Sequence, residues 1–267
     1  MTRPTLRAQA GDLSVAYSEV SAPAGAPTLF LVHGNWSSHV WWERVLDVFE
    51  ARGQARVIAY DLRGRGASVG PDNGYTMREH AVDLFAFADA LGVEDFHVVG
   101  HSLGSAIAME AALWRPTRIA SLAAFAPSWI DGMPLMFNNP AQQRALTAPG
   151  VLERALAPLA PSMPRDDFWR RCVAEGGRQR IVAAERNLSA LSAWRPGDAL
   201  RALEMPCVAV TGERDVLTGG AVARRVAEAL RTELLVIPVV GHCVPMEAPE
   251  RTVDILTELT QRTARAA

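Results

Sequence analysis

Phe96-His97-Val98-Val99-Gly100-His101-Ser102-Leu103-Gly104 is an apolar run that ends on a serine set between two glycines. A helical stretch, Ser105–Leu113, follows at once. A serine at such a strand-to-helix turn sits in a sharp elbow. Gly100 and Gly104 leave room for close backbone approach, and the hydroxyl is lifted above the sheet edge. The new helix aims its free N-terminal amides and the positive end of its dipole at the same point. Gly-x-Ser-x-Gly is short enough to arise by chance. The strand before it and the helix after it mark Ser102 as a nucleophile rather than a turn serine.

Further apolar runs lie on either side: Thr28–Val32, Arg56–Tyr60, Ile119–Phe125, Cys207–Val210 and Leu234–Val240. Continuous short runs fit strands covered on both faces, as in a parallel sheet. Between them lie helical patterns. Met77–Leu91 gathers Ala81, Leu84, Phe85, Phe87 and Leu91 on one face and stops at Gly92. Gly220–Leu230 and Glu250–Thr260 repeat the pattern more weakly. The alternation reads as α/β with right-handed crossovers. Asp12–Val20 alternates and is expected to add an antiparallel edge strand.

The rhythm fails over residues 127–196. This stretch carries six prolines from Pro134 to Pro164, together with Trp129, Met133, Met136, Phe137, Phe168, Trp169 and Trp194. It is too long for a loop and too apolar for a disordered linker. An inserted helical cap over a core of residues 1–126 and 197–267 is the expectation.

Composition narrows the function classes. Of 267 residues, 49% are apolar and 21% charged, and the formal net charge is −2. That is ordinary globular composition, with no basic surplus to neutralise phosphates, so nucleic-acid binding is not expected. All 27 basic residues are Arg. Without lysine there is no Schiff-base lysine, no phosphate-loop lysine and no lysine base. Cys172, Cys207 and Cys243 are widely spaced, which offers no zinc or dithiol motif and suggests reduced thiols in the cytoplasm. The opening residues lack an apolar core, so no signal peptide is expected. No apolar stretch is long enough for a membrane span. Nothing in the residues sets an oligomeric state.

A serine hydroxyl needs a base to take its proton. Of six histidines, His97 lies in a strand, His101 beside the serine, His80 and His39 at helices, and His33 in a loop. His242 follows the last apolar run, at the end of a strand where open α/β sheets place ligands, and is the expected base. The base needs an acid to fix its tautomer. Asp215 lies in the loop after Cys207–Val210, and Glu213 and Asp131 are its rivals. The order Ser102, Asp215, His242 is the chain order of this elbow type. The oxyanion needs two donors. The Leu103 amide is one; the other comes from His33-Gly34-Asn35-Trp36, with the Asn35 amide favoured and Trp36 next.

Together Leu31-Val32-His33-Gly34, Asp61-Leu62-Arg63-Gly64-Arg65-Gly66, Gly100–Gly104, Gly212–Asp215 and Gly241-His242 resemble the α/β-hydrolase superfamily. The small esterases, lactonases and C–C hydrolases are the most similar members. The resemblance spans the chain and implies an α/β-hydrolase fold, a mostly parallel, eight-stranded type of sheet with flanking helices. It implies that Asp61–Gly66 is a structural turn near the site. Ser at position 102, where epoxide hydrolases and haloalkane dehalogenases carry a carboxylate, points away from those enzymes. The expected chemistry is acyl transfer to water without cofactor or metal. The expected substrate is a small hydrophobic ester, lactone or thioester against Trp36, Trp129, Met133, Phe137 and Trp194. Two alternatives stay open. One is non-ester chemistry on the same triad, such as C–C hydrolysis, lyase action or tailoring of a polyketide-type intermediate. The other is a ligand receptor on this scaffold.

Overall fold

A computed structural model describes residues 3–266 of the chain. Eight strands form one sheet. They are β1 (Leu6–Ala10), β2 (Leu13–Val20), β3 (Thr28–Val32), β4 (Arg56–Tyr60), β5 (Phe96–His101), β6 (Ile119–Phe125), β7 (Cys207–Gly212) and β8 (Leu234–Ile237). Their spatial order is β1-β2-β4-β3-β5-β6-β7-β8. β2 pairs antiparallel with β1 and β4, and every pairing from β4 across to β8 is parallel.

The helices are α1 (Glu43–Arg52), α2 (Met77–Ala90), α3 (Leu103–Trp114), α4 (Pro140–Ala145), α5 (Val151–Leu156), α6 (Asp167–Gly177), α7 (Ile181–Ala193), α8 (Gly219–Ala229), α9 (Val244–Glu247) and α10 (Pro249–Ala266). Alternation along the strands sorts side chains to the two faces. Phe30 and Val32 of β3 join α2, α3 and α8 on one side. Leu29 and Leu31 join α1 and α10 on the other. Each fully buried side chain of this size contributes roughly 1.5–3 kcal/mol. Phe30 and Phe96 meet edge-on at 4.7 Å between ring centroids at the centre of the first layer. Helix starts are chemically marked too: Thr76 and Glu79 form a reciprocal capping box on α2.

Two expectations change in detail. The antiparallel strand β2 is not the edge, because β1 pairs outside it. β1 is largely exposed and carries no continuous apolar run, so its sequence signal is weak. The last strand ends at Ile237, since Pro238 has no N–H for the ladder and Val239 turns to φ 60°. Between β6 and β7 the described residues hold only helices and turns. Leu188 and Leu191 of α7 pack into the main sheet layer, while Leu152, Leu156, Phe168 and Trp169 form a third cluster with Trp36 and Trp41. Among the described residues no helix is long and apolar enough to cross a membrane.

Candidate active site

Ser102 stands at the elbow between β5 and α3 with φ 54° and ψ −121°. A non-glycine residue in this region stores on the order of 1–3 kcal/mol of strain. The strain is held by a crowded backbone. A Cβ on Gly100 would lie 2.3 Å from the Gly104 carbonyl oxygen, and one on Gly104 would lie 2.2 Å from the Val32 carbonyl oxygen. Only glycine permits β3, β5 and α3 to approach this closely. The Ser102 amide donates to the Phe125 carbonyl at 3.0 Å, tying the elbow to β6. Ser105 Oγ donates to the Ser102 carbonyl at 2.6 Å and accepts the Ser128 amide at 2.9 Å.

His242 follows β8 through a turn, and its Nδ1 lies 2.9 Å from Asp215 Oδ2. Asp215 Oδ2 also accepts Thr218 Oγ1 at 2.8 Å, while Oδ1 accepts the Leu217 and Thr218 amides at 2.8 and 3.1 Å. Burial pushes the Asp215 carboxyl up. The bonds from His242, Leu217 and Thr218 outweigh it and hold the group well below the usual carboxylate range. An ionised Asp215 accepts the Nδ1–H of His242, which leaves Nε2 as the free basic nitrogen. That Nε2 is buried and has no partner among the described residues. His101 supports the same loop: its Nε2 donates to the His242 carbonyl at 3.0 Å. Burial lowers the His101 pKa to about 3, so it stays neutral. The rival acids are engaged elsewhere. Glu213 accepts the Val239 amide at 2.9 Å, and Asp131 pairs with Arg225 at 3.0 Å.

The loop after β3 is fixed by His33. Its Nε2 accepts the Leu62 amide at 3.1 Å and its Nδ1 donates to the Gly34 carbonyl at 2.8 Å. Burial lowers its pKa to about 4, which preserves this neutral tautomer. Asn35 Oδ1 then accepts from Arg65 Nη2. Arg65 is 1% exposed and has no carboxylate partner among the described residues; burial lowers its pKa to about 9. Trp36 follows at φ 52°, a left-handed conformation rare for a bulky residue. Leu103 is the first residue of α3, so its amide has no partner within the helix.

A cavity of about 210 Å³ brings together Asn35, Trp36, Ser102, Leu103 and His242. Asp215 lies behind His242 and does not line it. Trp129, Met133 and Phe137 also line it. Trp194 does not: it packs against the main sheet layer, and its indole N–H donates to Glu110 at 2.9 Å. Its place at the end of α7 turns it toward α3 rather than the serine. Trp41, Gln142, Gln143 and the leucines of α5 also line the cavity, and no local motif marks them. Among the described residues no group of three or more His, Cys, Asp or Glu side chains is placed to hold a metal ion.

The elbow, the sheet order and the cavity above the strand ends define a hydrolase architecture. The chain belongs to the alpha/beta hydrolase family, whose model matches residues 29–255. It is 28% identical over 252 residues to the dihydrolipoyllysine-residue acetyltransferase component of the acetoin cleaving system of Pseudomonas putida, covering 92% of this chain and 66% of that protein. It is 36% identical over 158 residues to a haloalkane dehalogenase of Mesorhizobium japonicum, covering 55% of this chain and 48% of the relative. These matches thus span less than two thirds of either relative's length. Among solved structures it is similar in fold to a thermophilic esterase from Thermogutta terrifontis. The TM-score there is 0.80 and the identity 22%, over 97% of this chain and 99% of the other.

Proposed function

We propose that this chain is a serine hydrolase that transfers the acyl group of a carboxylic ester, lactone or thioester to water through Ser102, His242 and Asp215. One observation carries the reading. His242 is held at Nδ1 by Asp215 at 2.9 Å, and its unpartnered Nε2 belongs to a side chain bordering the same cavity as Ser102. In this reading His242 Nε2 takes the Ser102 proton as Oγ attacks the carbonyl carbon. Asp215 keeps Nδ1–H in place and stabilises the imidazolium. The developing oxyanion takes hydrogen bonds from the Leu103 and Asn35 amides, each worth roughly 3–4 kcal/mol. His242 then protonates the leaving group and afterwards activates the water that frees the acyl group.

Residues 127–196 act as the cap that closes the cavity over Ser102. The apolar lining by Trp36, Trp129, Met133 and Phe137 supports a small hydrophobic substrate. The cysteines are free and buried, which supports a reducing, cytoplasmic setting. The dehalogenase likeness is not carried over, because that chemistry needs a carboxylate where this chain has Ser102. Turnover of p-nitrophenyl esters of graded chain length, with a fluorophosphonate probe, tests the reading. Turnover and labelling are expected in the wild type and absent in Ser102→Ala. A folded wild type that neither labels nor turns over overturns the assignment of Ser102. Labelling without turnover of any ester points instead to the lyase or receptor alternatives.

A further inference from the structure

The cavity is apolar apart from a few groups, and one of these has its polarity fixed by a neighbour. Gln143 on α4 accepts the Trp36 indole N–H through Oε1 at 2.6 Å. An indole N–H only donates, so the amide oxygen must face Trp36 and the NH2 group must face away. Trp36 cannot readily yield. It is buried, and its carbonyl lies against α6, where a Cβ on Gly176 would stand 2.4 Å from that oxygen. The Gln143 NH2 donates to no group among the described residues, and it is not among their sealed, unpartnered atoms. Gln143 is 9% exposed and borders the cavity.

The cavity also lacks charge. Among the described residues no Arg, Asp or Glu lines it, and the titratable groups that do are His101, His242 and Cys243. A carboxylate or ammonium on the substrate would lose its hydration with no counter-charge to replace it. A wholly hydrocarbon substrate would instead strip water from the Gln143 donor and leave it unmet.

We propose that Gln143 is a specificity-determining donor, and that the substrate is an uncharged acyl compound carrying a second oxygen acceptor, such as a ketone, under α4. This inference rests on the serine-hydrolase reading and adds the substrate class to it. Trp36 couples the two, because the loop that presents Asn35 beside Ser102 also sets the orientation of the cap amide.

The test compares p-nitrophenyl esters of keto-substituted hexanoic acids with the same chains bearing a methyl branch in place of the ketone oxygen. The wild type is expected to favour a keto ester by about tenfold or more in kcat/KM. Gln143→Leu is expected to bring the ratio near unity. Gln143→Glu keeps the length and the acceptor for Trp36 but removes the donor, and is expected to lose the preference as well. Turnover of both ester types without a keto preference overturns the inference and leaves the serine reading intact. A preference that survives in both variants overturns it equally. Absence of Ser102-dependent turnover for every ester overturns both readings.

Discussion

Asp215→Asn exchanges one oxygen for an amide group without changing shape, and the structure dictates which oxygen is lost. Oδ1 accepts two backbone amides, from Leu217 and Thr218, at 2.8 and 3.1 Å. Neither donor can be reversed, so the one oxygen left on the substituted side chain must occupy that side. Its NH2 then faces Thr218 Oγ1 and His242 Nδ1, which in the wild type lie 2.8 and 2.9 Å from Oδ2. The hydroxyl can rotate to accept; the imidazole must move its proton to Nε2. An Nε2–H cannot receive the proton of Ser102, and no carboxylate stabilises the imidazolium. The expected loss is roughly ten-thousand-fold in kcat, about 5 kcal/mol of barrier, with KM little changed. The assay is p-nitrophenyl butyrate hydrolysis at neutral pH, with circular dichroism and a thermal melt to confirm a native fold. A folded Asp215→Asn enzyme that keeps a tenth or more of wild-type kcat would refute the assigned role of the carboxylate.

Three further outcomes are expected. Gly104→Ala drives a Cβ into the Val32 carbonyl at 2.2 Å, so it should cost about 3 kcal/mol in urea unfolding and abolish turnover; native stability would contradict the elbow packing. Burial lowers the pKa values of His33, His80 and His97 to about 4 and of His101 to about 3. Each lies below the unfolded value of about 6.5, so the unfolded chain binds more protons in between. Their contribution is full above about pH 6.5 and is lost as pH falls toward the folded values. It amounts to a few kcal/mol per histidine as an order of magnitude. The urea midpoint should drop steeply between about pH 6.5 and 5, and His97→Gln should flatten the slope; a level profile contradicts the buried neutral histidines. Trp194→Phe should leave kcat/KM within about twofold while lowering stability by about 1 kcal/mol through the lost Glu110 bond; a large change in KM would return Trp194 to the cavity.

The sheet was legible because strands covered on both faces leave unbroken apolar runs, as in β3, β4, β6 and β7. The exposed residues of β1 carry no such signature. The contact between Asp215 and His242 follows from where two strands end, which a parallel sheet largely fixes. The cavity wall is different. Trp36 and Trp194 are the same residue type, and each packs against an apolar cluster, yet one borders the serine and the other meets Glu110. Only the packing of α7 on α3 separates them. The Arg65–Asn35 and Trp36–Gln143 contacts join residues 30 and 107 positions apart, beyond the reach of local pattern.

The helices between β6 and β7 are not equally free to part from the sheet. Leu188 and Leu191 of α7 lie in the same apolar layer as Phe30 and Leu84, so lifting this helix would tear the layer that stabilises the whole chain. Residues 134–150 are held more lightly, with Phe137 only half-buried against that layer. Leu135 and Met136 stand 77% and 75% in solvent, and α4 is six residues long. Loosening this short stretch would disturb less buried apolar surface than a swing of the entire insertion. A local opening at α4 would therefore cost less than displacing α7, and amide exchange at α4 should outpace that of α7 by orders of magnitude. Gln143 lies on α4, so such an opening would have to break its bond to Trp36, and exchange at α4 also reports how firmly that donor is held.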